Sequence, residues 1–389
     1  MKRLVAVLLC MTMAVSITAC GNSETENNKV AGTEAGDKPE SISVICTTDE
    51  EGLYEYAGKK YEEMYGVKVN LICQSYDSTH EKITTTWTGG GNADVCYVDI
   101  PWVAEFESKG VTIDLSEYMD EDVKNSLIES SLNQMIYNGK TEAIPFANGG
   151  KWMFYNKQML ADAGYEEPPK TWDELQETAL KLTKEDRYGF AMPALRSEES
   201  VFSFLPLLWG YGGKIAEIES EESQAAFLKL RELSESGAMS PQVNNLTTGD
   251  IGRQFMEGNV AMVLVSSALQ QTIQKEKPKM KYTMTIPPAG NENIERVTAV
   301  GGEVLVVTPG EKQAAALEFV KFVSEKCQME KLVDQIGYLA PRQDILSEQV
   351  ADSKALKNTY EILQYAKLRE FSVDWPYVSV ALTDAMEDE

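Results

Sequence analysis

AIPFANGGKWMFYNKQMLADAGYEEPPKTWDELQETALKLT, residues 143 to 183, reads as one α/β unit with its punctuation in place. Lys151 to Tyr155 is predicted as a strand, and Lys157 to Ala163 as a helix stopped by Gly164. Pro168 and Pro169 then lead into Thr171, with Glu174 three residues later. That spacing is a capping box, in which the threonine hydroxyl and the glutamate carboxylate satisfy each other's orphan backbone N–H groups. The helix that follows turns Trp172, Leu175, Ala179 and Leu182 to one side.

Upstream, Ser41 to Cys46 is a short apolar strand, and Gly52 to Tyr65 is a helix with Leu53, Ala57, Tyr61 and Met64 on one face and Gly66 as its stop. Val67 to Cys73 is the next strand, Thr79 to Trp87 a weaker helix, and Ala93 to Val98 a third strand. Strand, helix, strand, helix, strand opens a parallel α/β lobe. Asp99 is placed to cap a helix from Pro101 to Ser108, and a further helix is expected over Asp122 to Ile136. Downstream, helices are expected at Val201 to Leu208, Ser223 to Ser236, Gly249 to Glu257 and Ser266 to Lys275, with strands at Ala261 to Val265 and Tyr282 to Ile286. The strand Val304 to Val307 and the helix Lys312 to Glu325 belong with the first lobe, so the chain leaves that lobe near residue 146 and returns near 302. A third crossing near Leu339 to Asp344 sends the helices Ser353 to Arg369 and Tyr377 to Met386 onto the second lobe.

With 389 residues the chain exceeds the roughly 250 to 300 that one core supports, in keeping with two lobes. Sixty-one acidic against 36 basic side chains give a formal charge of −25, which repels a phosphate backbone, so no nucleic-acid partner is expected. Lys2 and Arg3 precede an apolar run, Leu4 to Thr18, too short to span a bilayer and shaped like a secretory signal. The run ends Ile17, Thr18, Ala19, Cys20, which resembles the lipobox of bacterial lipoproteins, in which Cys20 would be lipidated. Gly21 to Glu40 is polar but for Val30 and reads as a tether. Cys46, Cys73, Cys96 and Cys327 show no metal-ligand spacing. They read as buried thiols, with a Cys46 to Cys73 disulfide left open because neighbouring parallel strands bring the two close.

The segment 143 to 183, with FMEGNVAMVL (255 to 264), GGEVLVVTPGEKQAAALEFVKFV (301 to 323) and GYLAPRQDI (337 to 345), resembles the bacterial extracellular solute-binding proteins of carbohydrate ABC importers, the family that includes the maltose-binding protein. The likeness runs from about residue 42 to 383, although the family usually continues with a further helical segment. It implies a periplasmic-binding-protein-like type II fold of class α/β, two lobes joined by hinge crossings and closing on a ligand. The expected division is signal 1–19, tether 20–40, lobe one 41–146 and 302–339, and lobe two 147–301 and 340–389. The resemblance further implies a monomer anchored by lipid at the cell membrane and facing outward, or into a periplasm, with a small-molecule carbohydrate and ABC permease subunits as partners.

Carbohydrate is held by aromatic rings against sugar faces and by planar hydrogen-bonding groups against hydroxyls. In α/β sheets such groups gather at the carboxyl ends of strands. Asp49 and Glu50 follow the first strand, Tyr76 and Asp77 the second, and Asp99 and Trp102 the third. Asn148, Gly149 and Trp152 flank the first crossing, and Gly301 and Gly302 the second, with glycine allowing close approach to the backbone. Trp209, Tyr211, Ser266, Arg342 and Trp375 complete the candidates, Trp209 being the first choice for stacking.

Two other readings compete. An enzyme is disfavoured because the single histidine, His80, reads as a solvent-facing helix-start residue without triad or zinc partners, so no catalytic residue, cofactor or metal is expected. Gly89 to Gly91 follows a helix and precedes a strand, the reverse of a phosphate loop. A binding protein for another solute, such as a polyamine, or a ligand-presenting sensor, uses the same architecture.

Overall fold

A computed structural model describes residues 38–91, 93–119, 121–185, 187–370 and 372–387. The leader, Cys20 and residues 21–37 of the tether lie outside the described residues. The strands are β1 (Ser41–Thr47), β2 (Lys68–Gln74), β3 (Val95–Asp99), β4 (Ile136–Tyr137), β5 (Lys140–Thr141), β6 (Ile144–Asn156), β7 (Tyr188–Ala191), β8 (Val260–Ser266), β9 (Tyr282–Thr285), β10 (Thr298–Val307) and β11 (Ala366–Leu368). The main sheet runs β2-β1-β3-β10-β6-β8-β7, with β11 added to β10 and β9 to β6, while β4 and β5 form a separate hairpin. As expected, β1 is parallel to β2 and β3, and β10 joins that group, antiparallel to β3.

Two strands serve both lobes. β6 pairs with β10 from Ile144 to Gly150 and with β8 and β9 from Lys151 to Asn156. β10 pairs with β11 over Thr298 to Val300 and with β3 over Glu303 to Val307. Gly150 marks the exchange of partners on β6, and a Cβ there would stand 2.3 Å from the Trp152 ring and 2.6 Å from the Ala299 carbonyl oxygen.

The alternation of strand residues assigns side chains to two cores. Ile42, Val44 and Cys46 of β1 join Val95 and Tyr97 of β3 and the helix Gln313–Ser324 in one cluster. Ile45, Cys96 and Val98 face the other way, into a cluster that continues through Trp102 and Phe106 to Trp152, Phe154, Phe190 and the helix Glu198–Gly210 of lobe two. Ile345 packs in the first cluster and Ile362 in the second, so the final passage between the two cores falls between these residues.

Helix starts with local chemistry form where the sequence places them. Thr171 and Glu174 make the capping box of Trp172–Leu182, and Gly66 ends Glu51–Tyr65 with φ 73°. Three expectations are corrected by non-local contacts. The helix expected over Asp122 to Ile136 is split into Glu121–Ser126 and Glu129–Met135, because Leu127 bridges Arg342 and Ile128 N donates to the Pro341 carbonyl. The helix expected over Ser353 to Arg369 stops at Leu363, because Ala366–Leu368 leaves to extend the sheet beside Thr298–Val300. His80 is not a solvent-facing residue: its ring stacks on Phe106 at 5.2 Å, meets Trp102 edge-on, and its Nε2 lies 2.5 Å from Glu105.

Candidate functional site: a buried charge cluster between the lobes

The site is built where β3 of lobe one meets the chain that follows β11. Asp99, the last residue of β3, accepts a hydrogen bond from Ile100 N at 2.9 Å, as a cap should. Its carboxylate also accepts from Tyr76 OH and from both terminal nitrogens of Arg369, Nη1 at 2.8 Å to Oδ2 and Nη2 to Oδ1. This fork-to-carboxylate geometry is the strongest form of ion pair. Arg369 Nη1 donates in addition to Glu198 Oε1 at 2.8 Å, so one guanidinium ties Asp99 of lobe one to the first turn of the lobe-two helix Glu198–Gly210. Arg369 and Asp99 are each only 3% exposed.

Neighbours complete the cluster. The Arg369 guanidinium carbon lies 4.0 Å from the centre of the Phe202 ring, and Lys151 Nζ stands 4.9 Å from the same centre while pairing with Glu199 at 2.6 Å. Glu198 Oε2 accepts from Trp375 Nε1 at 3.0 Å and from Ser379 Oγ at 2.5 Å. Burial holds Lys151 below the usual lysine range against the opposing pull of Glu199, and burial raises the Glu198 carboxyl despite Arg369. Burial and the Asp99 charge raise the Tyr76 phenol. Glu50 and Glu303 act on the same region, since both raise the already buried phenols of Tyr54, Tyr97 and Tyr338. Within the cluster, then, Asp99, Glu198 and Glu199 pair with Arg369 and Lys151.

An open pocket of about 420 Å³ adjoins the cluster, lined by Ile215, Leu368, Arg369, Glu370, Ser372, Trp375 and Val378. It falls within the roughly 300–1,000 Å³ range of small-molecule sites.

The residues singled out from the sequence divide by these contacts. Asp99, Tyr76 and Trp375 belong to the cluster, and Trp102 supports it, its ring 5.6 Å from that of Tyr76. Glu50 is buried and contributes through its charge. For Asp49 and Asp77 only the backbone is described, in the turn Thr48–Glu50 and the helix Tyr76–Thr88. Asn148 donates to Ser131 Oγ at 2.9 Å and pairs through its backbone with Leu339, while Gly302 lies opposite it on β10. The close approach allowed by the crossing glycines is taken by side chains of this chain. A Cβ on Gly149 would stand 2.7 Å from the Tyr338 ring, and one on Gly301 2.8 Å from Arg369 Nη2 and 2.9 Å from Phe202. Ser266 Oγ meets Tyr338 OH at 3.3 Å. Trp152 is fully buried in the core. Trp209 is half-buried beneath Lys367, whose Nζ is 5.9 Å from the ring centre, and the phenol of Tyr211, pushed up to about 12 by burial, packs over Gly290. Arg342 pairs with Asp344 at 3.0 Å and reaches the Ser324 carbonyl, neither of which belongs to the cluster.

Arg369, Glu198, Glu199, Lys151 and Phe202 were not anticipated. The pair Glu198 and Glu199 before the apolar run Val201 to Leu208 is the one local signal, because acidic residues favour a helix's first turn.

Residues 57–358 match the bacterial extracellular solute-binding protein family, and the chain belongs to it. It is an extracytoplasmic solute-binding protein and not an enzyme. A binding protein of Brucella abortus (strain 2308) is 25% identical over 345 residues, covering 86% of this chain and 84% of that protein. The diacetylchitobiose binding protein DasA of Streptomyces coelicolor is 24% identical over 334 residues, 82% of this chain and 77% of that protein. The fold is that of maltose-bound MalE3 of T. maritima, with a TM-score of 0.80 at 22% identity over 90% of this chain and 97% of that one. This confirms a two-lobed α/β binding-protein architecture.

Proposed function

We propose that this protein captures a carbohydrate, an oligosaccharide, in its interlobe cleft and delivers it to the permease subunits of an ABC importer. The observation that carries the reading is the junction of Arg369 and Trp375 at one open pocket, with Asp99 of lobe one on the far side of the guanidinium. Planar charged groups that accept or donate in pairs suit sugar hydroxyls. The saccharides named for DasA and MalE3 support the same class. Lobe one comprises 41–146 and 302–339 with the helix Gln343–Asp352 riding on it, and lobe two the remainder of the folded body, the lobes closing about β6 and β10. Closure brings Arg369 to Asp99, and the ligand completes the contacts that this pair begins.

A thermal-shift screen of the folded chain against a glycan panel tests the reading, because a ligand that binds only the folded form raises the apparent melting temperature, by RT ln(1 + [L]/Kd) in free energy. A rise with one oligosaccharide series is expected; a flat response to every glycan would sink the carbohydrate assignment. The excess of carboxylates around Tyr76, Tyr97 and Tyr338 favours a second reading, a cationic solute such as a polyamine. Polyamines therefore belong in the same panel, where a shift from them alone selects that alternative.

The monomer is held at the outer face of the cell membrane by acyl chains on Cys20, the residues Ile17 to Ala19 before it supporting this reading. Cys20→Ser is expected to release the protein from the membrane fraction. Retention in the membrane pellet at the wild-type level would exclude the anchor, since firm attachment needs more than one chain.

A further inference from the structure

Cys46 and Cys73 are partners in the parallel β1/β2 ladder, where adjacent strands run roughly 4.7–4.9 Å apart, inside the ~4.4–6.8 Å Cα window of a disulfide. Their side chains lie on the same face, and the Sγ atoms are within hydrogen-bonding distance, 2.8 Å. Cys46 is fully buried and Cys73 is half-buried. The register excludes the neighbouring thiol as a competitor: Ile45, not Cys46, is the partner of Cys96, so Cys96 points to the opposite face of the sheet. Each cysteine also stands at the root of a loop that reaches the charge cluster. Thr47 and the turn Thr48–Glu50 follow Cys46, and two residues after Cys73 the chain reaches Ser75 and then Tyr76, whose hydroxyl binds Asp99.

We propose that Cys46 and Cys73 form a reversible disulfide that staples the two lobe-one loops carrying Glu50 and Tyr76, whatever solute the cleft binds. A low-molecular-weight disulfide such as oxidised glutathione is the oxidant. The thiolate of Cys73, the more accessible of the two, attacks one glutathione sulfur, forming a mixed disulfide and releasing one glutathione thiolate, which takes up a proton. Cys46 then loses its proton and attacks the Cys73 sulfur, forming the protein disulfide and releasing the second glutathione. The protein dithiol loses two electrons and two protons, and glutathione disulfide becomes two thiols. Burial raises both protein thiols, with Glu50 and Glu51 adding to the effect at Cys46, so exchange accelerates as pH rises and thiolate becomes available.

The test is made on the full chain, incubated with oxidised glutathione between about pH 7 and about pH 9, alkylated, and mapped by peptide mass without reduction. A linked Cys46–Cys73 peptide is expected, formed faster at the higher pH and abolished by dithiothreitol, with Cys96 and Cys327 alkylated. Cys46→Ser should leave glutathione trapped on Cys73. Recovery of both Cys46 and Cys73 as alkylated thiols from the wild-type chain at the higher pH would overturn the proposal, as would a wild-type Cys73–glutathione adduct that never resolves. Because the assay reads the linkage itself, its failure leaves the solute assignment untouched, and a failed glycan screen leaves the linkage untouched.

Discussion

Arg369→Ala should destabilise the folded chain by ~3–5 kcal/mol, the range found when one partner of a buried ion pair is removed. The magnitude follows from what is left behind. Asp99 is almost entirely buried and would keep only Tyr76 and the Ile100 amide as donors, while Glu198 would keep Trp375 and Ser379. The penalty should depend on pH in a defined direction. Burial already raises Glu198, and loss of the cation raises it further, so the folded variant binds a proton more tightly than the unfolded chain does. A raised carboxyl contributes stability that is complete below its unfolded value and is lost as pH climbs through the folded one. The variant should therefore recover part of its deficit as pH falls from 7 toward the ordinary glutamate range, roughly 4.3. Urea unfolding at several pH values measures this. Because Arg369 links the lobes, small-angle scattering of the variant should also give a larger radius of gyration. A stability within about 1 kcal/mol of wild type at every pH, the level of an exposed pair, would show that the cluster is solvated rather than buried.

How much of this was legible beforehand depended on whether the governing interaction was local. Thr171 and Glu174 are three residues apart and cap each other, so the helix at 172 could be read directly. Asp99 was readable as a cap for the same reason. Its second role was not, because its partner is 270 positions away, at Arg369. Arg369 itself was hidden by helical periodicity, which carries on past Leu363 in the sequence but is broken by pairing of Ala366–Leu368 with Thr298–Val300. The crossing glycines Gly149 and Gly301 are expected to admit a ligand, yet no sequence pattern distinguishes a ligand from Tyr338 or Phe202 as the body that approaches. The family resemblance compensated at the level of architecture, where the order of elements suffices. It had less to say about a charge cluster whose members are scattered along the chain, from Tyr76 to Ser379.

Trp375 offers the second large effect, because one side chain joins the pocket wall to the cluster. It is 1% exposed, and Trp375→Ala should cost ~3–5 kcal/mol from lost packing and the cavity left behind. Trp375→Phe separates packing from polarity: most of the apolar volume stays, but the donor to Glu198 Oε2 at 3.0 Å is lost, for ~1.5–3 kcal/mol. Since Arg369 binds the other oxygen of the same carboxylate, the two losses should not add. With Arg369 absent, Glu198 is raised further and is the more readily neutralised, and a neutral carboxyl gains less from the indole than a carboxylate does. The double variant Trp375→Phe with Arg369→Ala should then be less destabilised than the sum of the singles, by ~0.5–3 kcal/mol of coupling. Calorimetric titration with a saccharide that scores in the thermal screen supplies the functional arm. If the indole forms part of the sugar's wall, Trp375→Phe should weaken binding as well as stability. Loss of stability with unchanged affinity would confine Trp375 to the core and leave half-buried Trp209, under Lys367, as the ring to test next.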